Sequence, residues 1–241
     1  HFLIYSTWTK SNDRGLENAV EDLYDELIDQ FDLDDDSVVW ASKLPVYCFW
    51  ERSEFEDFID VSLPNDVAEA TKSKNSEGFC GGTNGLTYVV LNRVQRPGND
   101  ATETRRWFYD VMTHETTHAF NKRHQSDVSL PVWLSEGLSE YMSAKLVKQS
   151  IASTRWIDST TTVTQDDLDV SYNLDEFGGK SFDYGVSQSF VRYMVKTRAR
   201  REKMLTFYTL LKSGMEQDAA MQQAFGLTMD EFYEEWRDAI K

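Results

Sequence analysis

Asp110 to Met142 reads DVMTHETTHAFNKRHQSDVSLPVWLSEGLSEYM. Inside it, His114-Glu115-Thr116-Thr117-His118 has the form H-E-x-x-H. Residues four apart on a helix lie one above the other on the same face, so His114 and His118 can direct two imidazole nitrogens at one metal ion. Glu115 lies beside that face, within reach of a water held by the metal. Trp107, Val111, His114 and His118 fall at i, i+4, i+7 and i+11. That spacing predicts a helix whose histidines continue an apolar, inward-facing stripe. The chain has only four histidines, so two of them at ligand spacing point to a metal centre rather than to two core imidazoles.

Two histidines do not complete a catalytic zinc site, which takes three protein ligands and leaves one position open. Two residues compete for the third place. His124 extends the run to H-E-x-x-H-x-x-N-x-x-H. This is similar to the metzincin pattern H-E-x-x-H-x-x-G-x-x-H, with Asn121 in the glycine position and Met142 available as a Met-turn. Glu136 lies in Trp133-Leu134-Ser135-Glu136-Gly137-Leu138-Ser139-Glu140-Tyr141, behind Pro131. Proline favours a first helical turn, and Leu134, Leu138, Tyr141 and Met142 recur at helical spacing.

This second helix resembles that of the gluzincins, the zinc peptidases that include thermolysin-like enzymes, zinc aminopeptidases and bacterial collagenases. The likeness runs from Thr104 to Leu146, and the C-terminal half is similar to the helical tail of the peptidase MA-like and collagenase-type members. The resemblance implies Glu136 as the third ligand, with seventeen residues between it and His118, and Gly137 letting the two site helices approach closely. It then leaves His124 at the end of the first helix with Lys122 and Arg123, where cations suit the helix dipole, and makes Met142 core packing. It implies zinc, with Glu115 as general base, and a peptide or protein substrate. In related families a tyrosine of the helical lobe donates to the oxyanion, and Tyr184 in Phe182-Asp183-Tyr184-Gly185 is the candidate here. Glu140, one turn past Glu136, either orients a ligand histidine or is solvated.

The implied fold is α+β, a thermolysin-like gluzincin catalytic domain. A small N-terminal mixed α/β lobe (1–125) carries the active-site helix, and an all-helical lobe (126–241) follows. In that family the strand before the active-site helix is the sheet edge that pairs with substrate, and aminopeptidases carry G-x-M-E-N on it. Gly81-Gly82-Thr83-Asn84 stands in that place without a glutamate, which favours endopeptidase action. A zinc-binding module without catalysis is the competing class; Glu115 argues against it, because a structural site has no use for a base.

Composition narrows the setting. A chain of 241 residues with 14 Phe, 11 Tyr and 7 Trp can bury a large core. It has no apolar run of membrane-spanning length. The net charge of −16 argues against nucleic acid as a partner; it is compatible with secretion or with cationic substrates, but solubility alone accounts for it, and a monomer is expected. The chain starts at His1 without Met or leader, so a processed or excised form and an extracellular or periplasmic location are expected. Cys48 and Cys80 either form a disulfide, contributing about 3 kcal/mol, or remain buried thiols.

Along the chain, Phe2–Ser6, Leu44–Trp50 and Leu86–Asn92 read as strands. Asp13–Phe31 reads as a helix with Leu16, Val20, Leu23, Leu27 and Phe31 on one face. The acidic run 32–37 has a calcium-loop start, D-x-D-x-D, but Ser37 and Lys43 replace the required Gly and Glu, so an acidic turn is expected. Ser53 and Glu56 suggest a capping box. Asp66–Asn75 reads as a polar, mobile segment, and the glycines after Cys80 as a turn. In the C-terminal half, Phe182, Val186, Phe190 and Met194 form one helical stripe, and Leu205, Tyr208 and Leu211 another. Thr228 with Glu231 and Leu227 with Phe232 open a last helix. Ile157–Gly179 has no legible pattern.

Overall fold

The computed structural model describes residues 1–33, 39, 42–63, 66–82, 86–93, 98, 100–165 and 178–240. The calcium-loop reading at 34–37, the glycine-turn residues Thr83–Gly85 and the segment 166–177 lie outside the described residues. The chain divides into two compact units, one of His1–Arg123 with Leu146–Lys148, the other of His124–Lys145 with Gln149–Lys241. Among the described residues, no helix is long and apolar enough to cross a membrane.

The first unit is built on strands β1 (Phe2–Ser6), β2 (Leu44–Phe49), β3 (Gly78–Gly81) and β4 (Tyr88–Asn92), in the order β1-β2-β4-β3. β1, β2 and β4 are parallel; β3 runs antiparallel to β4, with Gly78 opposite Leu91. Parallel neighbours require crossovers. Helix α1 (Lys10–Gln30) makes the first, and α2 (Arg52–Ser62) with α3 (Val67–Lys74) lies on the second. Side chains alternate across a strand. Tyr47, Phe49, Phe79, Tyr88 and Val90 therefore meet Phe55 and Ile59 of α2 on one face. Leu44, Val46 and Cys48 are buried on the other. That second face carries α1 and α4 (Ala101–Arg123), where Phe31 meets Phe120 at 4.7 Å and Trp8 meets Phe108 at 4.6 Å.

Three local expectations change, and one open alternative closes. Cys80 and Gly81 belong to strand β3 rather than to a turn, so β3 is an edge of the sheet and β4, the strand before α4, is internal. Asp66–Asn75 is not a mobile segment. Asp66 Oδ1 accepts from the Glu69 N–H at 3.0 Å and starts α3, which buries Ala70 and Ser73; two inward positions are too few for a legible period. The cap of α2 lies before Ser53. Glu54 Oε2 accepts from the Glu51 N–H at 3.2 Å and from Thr7 Oγ1 at 2.7 Å, so the end of β1 draws the helix start back. Cys48 and Cys80 are free thiols, on strands that β4 separates.

The second unit is helical among its described residues: α5 (Val132–Leu146, whose last residue belongs to the first unit), α6 (Ile151–Gln165), α7 (Ser181–Met194), α8 (Arg198–Lys212), α9 (Gln217–Phe225) and α10 (Met229–Ile240). Its core is aromatic. Phe190 meets Trp236 at 4.5 Å, Trp133 at 5.8 Å and Phe232 at 5.9 Å. Fully burying one such side chain contributes about 1.5–3 kcal/mol. The indole donors are satisfied, with Trp133 Nε1 donating to Gln217 Oε1 at 2.7 Å and Trp236 Nε1 to Ser189 Oγ at 2.9 Å. Thr228 and Glu231 form the expected reciprocal cap of α10. α6 takes in the first part of the stretch that had no legible pattern, residues 157–165.

Candidate metal centre

The site starts with the cap of α4. Asp100 Oδ1 accepts from the N–H groups of Thr102 and Glu103, both at 2.8 Å, and Glu103 Oε2 accepts in return from the Asp100 N–H at 3.1 Å. From this start the helix buries Phe108, Met112, Thr116, Ala119 and Phe120. His114 and His118 lie on a neighbouring face and are half-buried, as are Trp107 and Val111. The expected inward stripe is therefore a partly open one, and the core face of the helix lies beside it.

His114 Nε2 and His118 Nε2 face each other at 3.0 Å, with ring centroids 4.7 Å apart and the rings nearly perpendicular at 77°. Glu136 of α5 completes a group in which one ligand atom from each of the three residues lies within 4.8 Å of the others. Two nitrogens bound tetrahedrally at about 2.0–2.1 Å would stand roughly 3.3 Å apart, close to the separation seen. Two imidazoles and one carboxylate, all half-buried, are a donor set that fits zinc with a position left open.

His124 is not in this group. It follows the end of α4, is buried, and stacks on the Tyr208 ring at 5.5 Å. Burial, with the Lys212 ammonium nearby, lowers its pKa to about 4. Lys212 donates from Nζ to the Val128 carbonyl at 2.8 Å, and burial lowers its pKa to about 8. Met142 is fully buried in α5, as packing.

Glu115 is half-buried on α4, and its charge is felt at the Cys80 thiol on β3. Burial is the larger influence on that thiol and pushes its pKa up to about 12. Lys122 Nζ donates to the Cys80 carbonyl at 2.9 Å, tying the end of α4 to the same strand.

Glu140 is not solvated. It is 2% exposed, and its Oε1 accepts from Arg155 Nη1 at 2.7 Å. The same guanidinium lies 5.2 Å from the ring centroid of Tyr184, which is half-buried in the first turn of α7. Arg155 carries no motif, and its separation of fifteen positions from Glu140 hides the pairing from any local reading. Gly137 permits a close approach to α7: a Cβ there would lie 2.5 Å from the Ser187 carbonyl oxygen. Gly185, after Tyr184, does the same toward α6, with an added Cβ 2.3 Å from the Arg155 carbonyl oxygen.

No curated protein matches the chain. Residues 83–241 match the family model described as Peptidase MA superfamily. The match spans more than half the chain and takes in both α4 and α5, the helices that carry His114, His118 and Glu136. On that extent of match, this chain belongs to the Peptidase MA superfamily.

Proposed function

We propose that the chain is a zinc-dependent peptidase that cuts internal bonds of a peptide or protein substrate. The observation that carries this reading is the convergence of His114, His118 and Glu136 in a member of a peptidase superfamily. These three residues would hold the ion, on the gluzincin plan of ligands rather than the metzincin one. When bound, zinc supplies a Lewis acid that polarises the scissile carbonyl and acidifies water toward neutrality.

Glu115 sits one residue past His114 on the same helix and half open to solvent. In this reading its carboxylate takes the proton from the attacking water and passes it to the leaving amine. Tyr184 is the proposed donor to the oxyanion, with Arg155 over its ring fixing how it is presented. The Arg155 to Glu140 pair ties Tyr184 to the helix that bears Glu136. No glutamate stands at Gly81-Gly82-Thr83-Asn84 to hold a substrate's α-amine, which supports cleavage of internal bonds.

A peptide library with free and acetylated N-termini, digested by zinc-loaded chain with and without chelator, tests the reading. Internal cleavage of both sets, lost on chelation and restored by zinc, is expected. Cleavage that survives removal of the metal refutes the zinc mechanism, and strict dependence on a free amine refutes the endopeptidase assignment.

A further inference from the structure

A cleft of about 460 Å³ opens in the first unit beside α1 and α4, with Leu146–Lys148 along its wall. Its size falls within the range of about 300–1,000 Å³ typical of small-molecule sites. Leu23, Met112 and Val147 supply apolar walls. Leu23 and Met112 reach the cleft with little exposed surface, at 1% and 2%, and Leu146 and Val147 are half-buried beside it. Three cations line the same space, Arg105, Arg106 and Lys148, against a single acid, Asp22.

The chain as a whole carries 41 acids to 25 bases, so a lining with three cations and one acid runs against its overall balance. Among the described residues, Arg105 and Lys148 form no ion pair. Arg105 instead lies over the Tyr109 ring, 5.5 Å from its centroid, with Nη2 donating to Tyr109 Oη at 3.4 Å. Exposed cations without carboxylate partners above an apolar wall are the counterpart of a ligand with an anionic head and a hydrocarbon tail. A peptide fits less well, because its backbone amides would need partners that an apolar wall does not offer.

We propose that this cleft binds a single-chain amphiphile with a carboxylate head, a medium-chain fatty acid, with its tail against Leu23, Met112 and Val147 and its carboxylate on Arg105 and Lys148. The site is separate from the metal centre and does not depend on the peptidase reading.

Isothermal titration calorimetry of the full, zinc-loaded chain with decanoate, below its micelle concentration, tests this. Saturable binding of one decanoate per chain is expected. Arg105→Glu with Lys148→Glu should weaken it about tenfold or more, and decanol, which keeps the tail without the charge, should bind at least about tenfold more weakly than decanoate. Val147→Trp should abolish binding by filling the cleft. The double charge variant changes two exposed side chains, so its thermal unfolding should match the parent even if the Trp variant folds poorly. No saturable decanoate binding, equal affinity for decanol, or unchanged affinity in the charge variant would each overturn the proposal. So would binding of a peptide with an apolar C-terminal residue in place of decanoate.

Discussion

Glu115 and Glu136 are both half-buried glutamates on helices that carry the candidate ligands, and the proposed function gives them different roles. Glu136 shares the group with the two imidazoles; Glu115 is outside it. Glu115→Gln should therefore keep bound zinc, read by metal analysis after dialysis, while kcat falls by about 10²–10⁴-fold. Undiminished turnover in that variant would show that the base lies elsewhere. Glu136→Ala should lose zinc, whereas His124→Ala should keep it. Tyr184→Phe should lower kcat by about 10²–10³-fold with KM and zinc content nearly unchanged; a loss of stability at normal kcat would reduce Tyr184 to packing. His124 makes its own prediction through pH. Its pKa is near 4 in the fold and about 6.5 in an unfolded chain, so the unfolded state takes up the proton first. Stability is then full above about pH 6.5 and declines as pH falls toward 4, by about 2 kcal/mol after discount for solvent screening. Urea unfolding across that range should show the decline, and His124→Gln should flatten it.

At the scale of elements, α4 divides its surface between two tasks. One face, with Phe108, Met112, Ala119 and Phe120, is core; the adjoining face holds the imidazoles half open to solvent. A catalytic metal needs that opening, and a stripe read only as apolar periodicity overstates how far the histidines turn inward. α5 is held differently, by burial on most of its circumference and by the absence of a side chain at Gly137. Gly137→Ala would press a methyl group to 2.5 Å from the Ser187 carbonyl oxygen, forcing α5 and α7 apart at a cost of about 1–3 kcal/mol. Because α5 carries Glu136, zinc affinity should fall together with the melting temperature. Normal zinc binding at a lowered melting temperature would mean that the ligand's position does not depend on this contact.

For the molecule as a whole, a metal that binds the native chain and not the unfolded one adds to stability by mass action. At free zinc a hundredfold above Kd the gain is about 2.7 kcal/mol. Calorimetric melting should therefore show a Tm that rises with zinc and drops on chelation. The zinc-dependent part should vanish in His118→Ala. The charge balance works at this scale too. The chain's net charge is −16, and it is against that background that the three cations around the α1 and α4 cleft stand out.

Much of this protein was legible in the sequence, because the signals are local. His114 and His118 fall on one helical face by spacing alone, and α5 follows from Pro131 and the apolar recurrence behind it. β1, β2, α1, α7 and α10 follow from period and capping chemistry within single segments. Other features depend on which surface meets which, and periodicity reports that a face is buried without naming what covers it. The tertiary structure gathers Glu136 with the histidine pair and sets His124 on Tyr208. It makes β3 an edge strand, turns Gly137 toward α7, and joins Arg155 to Glu140 and Tyr184. Each of these contacts links residues far apart in the chain, and only the packing of whole elements brings such residues within bonding distance.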